Sequence, residues 1–351
     1  TTERGGSVAY PKGRRRSGRS RRGDGRSPTY GALDLGTNNC RLLVARPAAG
    51  GFRVIDAFSR IVRLGEGLGA SGELSEAAIE RTIEALQVCA AKMQRRGVTR
   101  ARSVATEACR RAVNGSRFLR RVTEKTGLRL EIISPPEEAR LTLAGCASLL
   151  DAKVAHALMF DIGGGSTELI WLSVSPGVPP GMLASLSLPC GVVSLAERYG
   201  GREVSAAAYE AMVREVEELL RPFEACHGIG LRIADGAVQM LGTSGTVTTL
   251  TAIHLDLPRY DRAVVDGSYL SFESIERINR KLAGMNYDGR VSHPCIGVER
   301  ADLVIAGAAI LEAICRLWPV GRLRVADRGL REGILLGLMQ PGAAFPAAPP
   351  K

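Results

Sequence analysis

One pattern occurs twice in this sequence, and it limits the fold more than any other stretch. Residues 30–45 run Tyr30-Gly-Ala-Leu-Asp34-Leu-Gly36-Thr-Asn-Asn-Cys-Arg-Leu-Leu-Val-Ala45. Residues 157–172 run Ala157-Leu-Met-Phe-Asp161-Ile-Gly163-Gly-Gly-Ser-Thr-Glu168-Leu-Ile-Trp-Leu172. Each reads as strand, tight turn, strand. An apolar run ends in Asp, an aliphatic residue and Gly follow, then small hydroxyl or amide residues, then a second apolar run. The aspartates lie 127 positions apart, about one domain's length. Two domains of similar design, each presenting one hairpin to a shared cleft, account for the repetition.

The remaining chain fits that frame. Its 351 residues, 45% of them hydrophobic, suffice for two domains. Short β-rich runs alternate with helical periodicity, which indicates an α/β architecture. Ser75 reads as an N-cap, and Ile79, Ile83, Leu86 and Met93 then recur at helical spacing until Gly97. No apolar run approaches the roughly 20 residues of a membrane span. Eight cysteines without any CxxC pair read as reduced, mostly buried thiols rather than a disulfide framework or zinc site, and so as a cytoplasmic protein. Charge is uneven: residues 1–28 carry +7 of the net +11. That nearly apolar stretch is expected to be a disordered tail, either merely solvated or an arm for polyanions.

The loops carry the chemistry. Glycines let a backbone turn sharply and approach a ligand, so that several N–H groups can meet one anion. Gly163, Gly164, Gly165 and Ser166 form such a stretch. Gly164 is expected to stand where a phosphate oxygen sits, in a turn taking positive φ. Gly36, Thr37 and Asn38 form the matching stretch in the first hairpin. A third small-residue loop, containing Thr243, Ser244 and Gly245, precedes a helical pattern over 247–255, and a helix N-terminus favours anions. There is no GxxxxGK[ST] string, and the Gly triplet leads into a strand rather than the helix that a dinucleotide fingerprint requires.

Two further stretches complete a resemblance: Ala105-Thr-Glu-Ala-Cys-Arg110-Arg-Ala-Val-Asn114 and Ile132-Ile-Ser-Pro-Pro-Glu137-Glu138-Ala-Arg140. With both hairpins, the chain from about Tyr30 to Met339 resembles the Ppx/GppA family of exopolyphosphatases and guanosine pentaphosphate phosphohydrolases. That family stands within the actin, hexokinase and heat-shock-chaperone ATPase superfamily. The resemblance implies an actin-like (ribonuclease H-like) α/β fold in its short, two-domain form. Domain I would span 29–134 and domain II 135–340, with the last helix, about 329–339, packing back on domain I and a flexible 341–351. It also implies Glu138 as catalytic base, Arg110 as a phosphate contact, and Asp161 and Glu168 as acids that bind metal and position water. The implied cofactor is Mg²⁺. The implied substrates are inorganic polyphosphate or guanosine pentaphosphate, and a homodimer is left open.

Elementary chemistry agrees with the carry-over. Hydrolysis of a phosphoanhydride needs an aligned water, a base, and donors plus a cation around the equatorial oxygens. Glycine amides and an arginine supply donors, and a carboxylate pair suits Mg²⁺. Each residue also has a plainer reading: Arg110 as a surface cation, Glu138 as an acid in the first turn of a helix over 137–150, Glu168 as a solvent-facing strand residue. Two other functions share the loops, a sugar or acetate kinase-like phosphotransferase and a non-catalytic polyphosphate or nucleotide sensor. The Arg110 and Glu138 segments argue against the first.

Overall fold

The computed structural model describes residues 27–340. The expected basic tail, save Ser27 and Pro28, and the expected flexible segment 341–351 lie outside the described residues. Eleven strands form two sheets. The first contains β1 (Tyr30–Leu35), β2 (Asn39–Ala48), β3 (Gly51–Ile61), β4 (Arg100–Ala105) and β5 (Glu131–Ile132), in the order β3-β2-β1-β4-β5. The second contains β6 (His156–Ile162), β7 (Thr167–Ser175), β8 (Val178–Leu188), β9 (Val238–Thr243), β10 (Tyr269–Ser271) and β11 (Arg322–Ala326), in the order β10-β11-β9-β6-β7-β8. Both are built alike: an antiparallel meander of three strands, with parallel strands added beside the first. The second sheet differs by the antiparallel edge strand β10.

The strands alternate with period two, and both faces of each sheet are covered. Leu33 and Leu35 of β1, with Cys40, Leu42 and Val44 of β2, face the helices Glu76–Arg95 and Gly115–Thr126. Tyr30, Ala32, Leu43 and Ala45 face the other way, onto Leu330, Ile334, Leu335 and Leu338 of the helix Leu330–Met339. In the second sheet Leu158, Phe160, Leu169 and Trp171 enter the largest core cluster, while Met159, Ile170 and Leu172 meet Ala139, Leu143 and Cys146 of the helix Pro135–Cys146. The C-terminal helix therefore packs on the first sheet although its chain comes from the second.

The helices Pro135–Cys146 and Leu330–Met339 cross backbone to backbone. A Cβ at Gly145 would lie 2.0 Å from the Gly329 carbonyl oxygen, and one at Gly333 would lie 1.9 Å from that of Leu141. Only glycine permits this approach. The first of these helices is shorter than its acidic start suggests, ending at Cys146 with a 3-10 turn over Ala147–Leu149. Ser75 caps its helix as expected, accepting a hydrogen bond from the Ala78 amide at 3.3 Å. Seven of the eight cysteines are buried and Cys226 is exposed. Among the described residues no helix is long and apolar enough to cross a membrane.

Candidate active site

The two hairpins face one cleft, at the carboxyl ends of the parallel strands, where open α/β sheets bind ligands. Asp34, Gly36, Thr37, Asn38, Asp161, Gly163, Gly164, Gly165, Ser166 and Glu168 all line its cavity of about 130 Å³, as do Glu138, Ser244 and Gly245. That volume far exceeds the ~10–15 Å³ one water requires.

The turns are held identically. The Gly36 amide donates to the Asn39 carbonyl and the Gly163 amide to the Ser166 carbonyl, both at 2.9 Å. Behind the first turn, Gly65 N–H holds the Thr37 carbonyl, and Val62 and Arg63 hold that of Asn38. Behind the second, Val192 and Val193, at the start of the helix Val192–Tyr199, hold the carbonyls of Gly163 and Gly164 at 3.0 and 2.8 Å. In a trans peptide the N–H points opposite to the C=O. Pinning the carbonyls of Thr37, Gly163 and Gly164 from behind thus turns the amides of Asn38, Gly164 and Gly165 away from the supporting segment. The amides of Thr37, Asn38, Gly164 and Gly165 have no hydrogen-bond partner among the described residues. Unpartnered N–H groups gathered in one cleft suit an anion.

Gly164 acts differently from the sequence expectation. None of the three hairpin glycines takes a positive φ. A Cβ on Gly164 would meet Asn38 Cβ at 3.0 Å and Thr37 Cβ at 3.1 Å, so glycine here lets the two loops touch. Thr243 is a second correction. Its hydroxyl donates to the Arg328 carbonyl at 2.9 Å, and the residue does not line the cleft. Ser244, at φ 156°, uses its side chain to cap the helix Gly245–His254 through the Val247 amide.

The acids are concentrated on one side. Ser134 and Pro135 start the helix that carries Glu138, the hydroxyl accepting from Glu137 N–H. Glu138 faces the cleft and receives Arg110 Nη1 at 2.8 Å. Arg110 also pairs with Glu107 at 3.0 Å and donates to the Ile133 carbonyl. It does not line the cleft itself, so the structure gives it a grip on Glu138 rather than an open phosphate contact. Glu137, next door, is held outside by Arg102 and Arg140, which draw its carboxyl down to about 2. Burial, then the neighbouring Glu168, push Glu138 up to about 8 against the pull of Arg110. Burial, then Glu138, push Asp161 up to about 7. Burial, then Asp161, push Glu168 up to about 7, although the Ser166 and Ser187 hydroxyls donate to it at 2.6 and 2.9 Å. Burial also raises Asp34, with Arg41 and Arg331 opposing.

Crowded carboxylates that raise one another are a setting for a cation. Among the described residues, no three His, Cys, Asp or Glu side chains converge as ligands of one ion. Asp161, Glu168 and Glu138 offer carboxylate oxygens, the donor chemistry that a hard cation such as Mg²⁺ takes. The Asn38 side-chain oxygen is buried in the same cleft without a hydrogen-bond partner among the described residues.

Sequence reasoning gave no role to Arg41 and Arg300, which also line the cleft. Arg41 stands directly opposite Asp34 in the register of β1 and β2, and Arg300 donates to Thr249 at 2.9 Å. The repeated pattern held a signal for Arg41, since it occupies the place of Glu168 in the second hairpin. Arg300 lies in an irregular loop with no such marker.

The chain matches the Ppx/GppA phosphatase family over residues 43–341. It belongs to that family. The Ppx/GppA match begins after the first turn, so the equivalence of that turn rests on the geometry above. An exopolyphosphatase-like protein of known structure is 30% identical, with a TM-score of 0.81 over 89% of this chain and 98% of its own. The Aquifex aeolicus member of the Ppx/GppA family is 28% identical, with a TM-score of 0.73 over 89% and 98%. An exopolyphosphatase from Cytophaga hutchinsonii, 22% identical over 88% and 97%, shares the fold with a TM-score of 0.79. The fold is actin-like, and phosphohydrolysis is the class of activity that Ppx/GppA membership carries.

Proposed function

We propose that the protein releases the terminal phosphate from inorganic polyphosphate, from guanosine pentaphosphate, or from both, by attack of a water that Glu138 deprotonates. The observation that carries this reading is the pairing, in one cleft, of unpartnered amides from two hairpins with a carboxyl pushed up to about 8. Phosphoryl transfer needs positioning and charge stabilisation more than covalent chemistry. The amides of Thr37, Asn38, Gly164 and Gly165 bind the equatorial oxygens of the terminal phosphoryl group. Arg41 and Arg300 take charge on the rest of the chain. A carboxyl raised toward the working pH is a competent base once ionised, and Arg110 fixes its direction. Mg²⁺ would be held by Asp161 and Glu168, and when bound it offsets negative charge on the phosphate oxygens.

The test is phosphate release with Mg²⁺ on long polyphosphate, tripolyphosphate and guanosine pentaphosphate, measured side by side. Release from at least one is expected. Phosphate moved from ATP to an acceptor without release would replace the reading by a kinase-type transfer. Binding of all three without release would leave a sensor.

A further inference from the structure

We propose that Arg63 and Asp302 clasp the two lobes together and thereby position the first phosphate loop against the second. Arg63 follows β3, and Asp302 precedes the helix Val304–Leu317 of the other lobe. The guanidinium meets the carboxylate as a fork, Nη1 to Oδ2 at 2.7 Å and Nη2 to Oδ1 at 3.0 Å, and Nη2 also reaches the Glu299 carbonyl at 3.4 Å. Such a fork fixes direction as well as distance.

The clasp is joined to both loops. Arg63 stands at φ 49°, a left-handed conformation that residues other than Gly, Asn and Asp rarely adopt. What holds it there is its own amide, which donates to the Asn38 carbonyl beside that of Val62. One residue thus pins the first loop with its backbone and reaches the opposite lobe with its side chain. Four residues on, the Gly67 amide donates to Glu197 at 2.8 Å. Glu197 lies on the helix Val192–Tyr199, whose first amides pin Gly163 and Gly164. The segments that support the two loops are therefore tied to each other, and Asp302 adjoins Leu303 and Val304 on the cleft wall. Its carbonyl presses on Gly201, where a Cβ would lie 2.1 Å away. Arg63 and Asp302 touch no reacting atom; they act through loop placement. The proposal holds for any anion that binds the cleft and does not depend on which phosphate is the substrate.

The experiment measures lobe separation in the full chain, without ligand and with tripolyphosphate. Spin labels sit on Cys226, which is exposed, and on Glu84→Cys in the outer helix of the first lobe. Arg63→Asn keeps a residue that accepts the left-handed backbone, and Asp302→Asn keeps shape while removing charge. Each should lengthen and broaden the ligand-free distance distribution, shifting the closed fraction by about threefold to fivefold, the scale of a partly exposed ion pair. Each should raise KM for tripolyphosphate more than it lowers kcat. The reversed pair, Arg63→Asp with Asp302→Arg, should recover most of the closed distribution, and high salt should loosen the wild type but not the neutral variants. Unchanged distances in both single variants would overturn the proposal, even with full phosphatase activity. A reversed pair that folds but stays as open as the single variants would overturn it too.

Discussion

The two hairpins share a backbone and differ in charge. In both, an Asp at the end of the first strand faces, across the ladder, the residue seven positions later: Arg41 opposite Asp34, and Glu168 opposite Asp161. In both, the first glycine amide closes the turn and the loop carbonyls are held from behind. Peptide geometry thus fixes the anion-seeking amides twice over, whatever the side chains are. The side chains then divide the labour. The first hairpin adds a cation beside its Asp; the second adds another acid, and with Glu138 nearby it gathers the carboxylates that, on the proposed reading, would hold a metal. A single design for holding phosphate becomes asymmetric by one substitution in the pattern.

The largest expected effect falls on the residue that both hairpins surround. Glu138→Gln keeps the shape and can still accept from Arg110 but cannot take a proton, so kcat should fall about 10²–10⁴-fold, or about 3–5 kcal/mol, with little change in KM. Glu137→Gln is the control, since its carboxylate is held by Arg102 and Arg140 outside the cleft. Steady-state kinetics at saturating Mg²⁺ should find it within about threefold of wild type, the range of changes away from a site. A dead Glu137 variant beside an active Glu138 variant would undo the assignment.

Next is a contrast of one glycine from each hairpin, the one that touches the opposite loop and the one that does not. Gly164→Val must drive the second loop off Thr37 and Asn38, and should cost about a hundredfold in kcat/KM, as a displacement near 1 Å does. Gly36→Ala meets only the Asn39 carbonyl at 3.6 Å and should stay within about threefold. Circular dichroism on both variants separates lost placement from lost folding. Equal damage at the two positions would mean that contact between the loops is not what sets the cost.

A smaller effect separates the charged partners. Glu168→Gln should raise the Mg²⁺ concentration for half-maximal rate by about 10–100-fold, the scale of losing one metal-site group. Arg41→Gln should instead raise KM by about tenfold, one charge-assisted contact, at unchanged Mg²⁺ dependence. Titrating metal and substrate independently in each variant reads the difference, and identical Mg²⁺ curves would remove the division of labour.

The smallest expected effect is thermodynamic. Asp161 and Glu168, at about 7, and Glu138, at about 8, bind protons in the folded state that the unfolded chain has released. Their contribution to stability is complete below the ordinary carboxylate range, near pH 4.5, and is lost as pH rises through about 7–8. Mg²⁺ competes with those protons. Its stabilisation, followed as a Tm shift, should be a few degrees at about pH 8.5 and smaller at about pH 6. A shift independent of pH would place the ion elsewhere.

What the sequence made legible was local. Short apolar runs within residues 30–45 and 157–172 announced the strands, and the turn residues between them announced the loops, because both depend on neighbours a few positions away. The acids Glu137 and Glu138 likewise marked the first turn of the helix that carries them, while the Ser134 cap and Pro135 came from the structure. What stayed hidden depends on distant partners. Thr243 reads as a loop hydroxyl until the Arg328 carbonyl is beside it. Gly164 reads as a place for phosphate until Thr37 and Asn38 close on its Cα. Arg110 shows no preference between a phosphate and a carboxylate until Glu138 and Glu107 arrive from either side. Arg300 and Asp302 have no periodic context, and only the path of the chain before the helix Val304–Leu317 brings Arg300 into the cleft and Asp302 beside its wall.

The crossing of the two inner helices at Gly145, Gly329 and Gly333 has a mechanical meaning. Where side chains interlock, relative rotation must climb over methyl groups, and each substitution resets the preferred angle. At the crossing itself peptide bears on peptide, while Leu141 packs against Leu330 and Ile334 beside it. Such a contact is expected to act as a bearing for small rotations, its spacing fixed by the thickness of the backbone itself. Leu330, beside the crossing, lines the cleft, so any such rotation is felt directly at the hairpins and is limited by the groups that meet across them. Evolution could then retune grip and release there, exchanging charged residues on the rim, while the axle remained glycine.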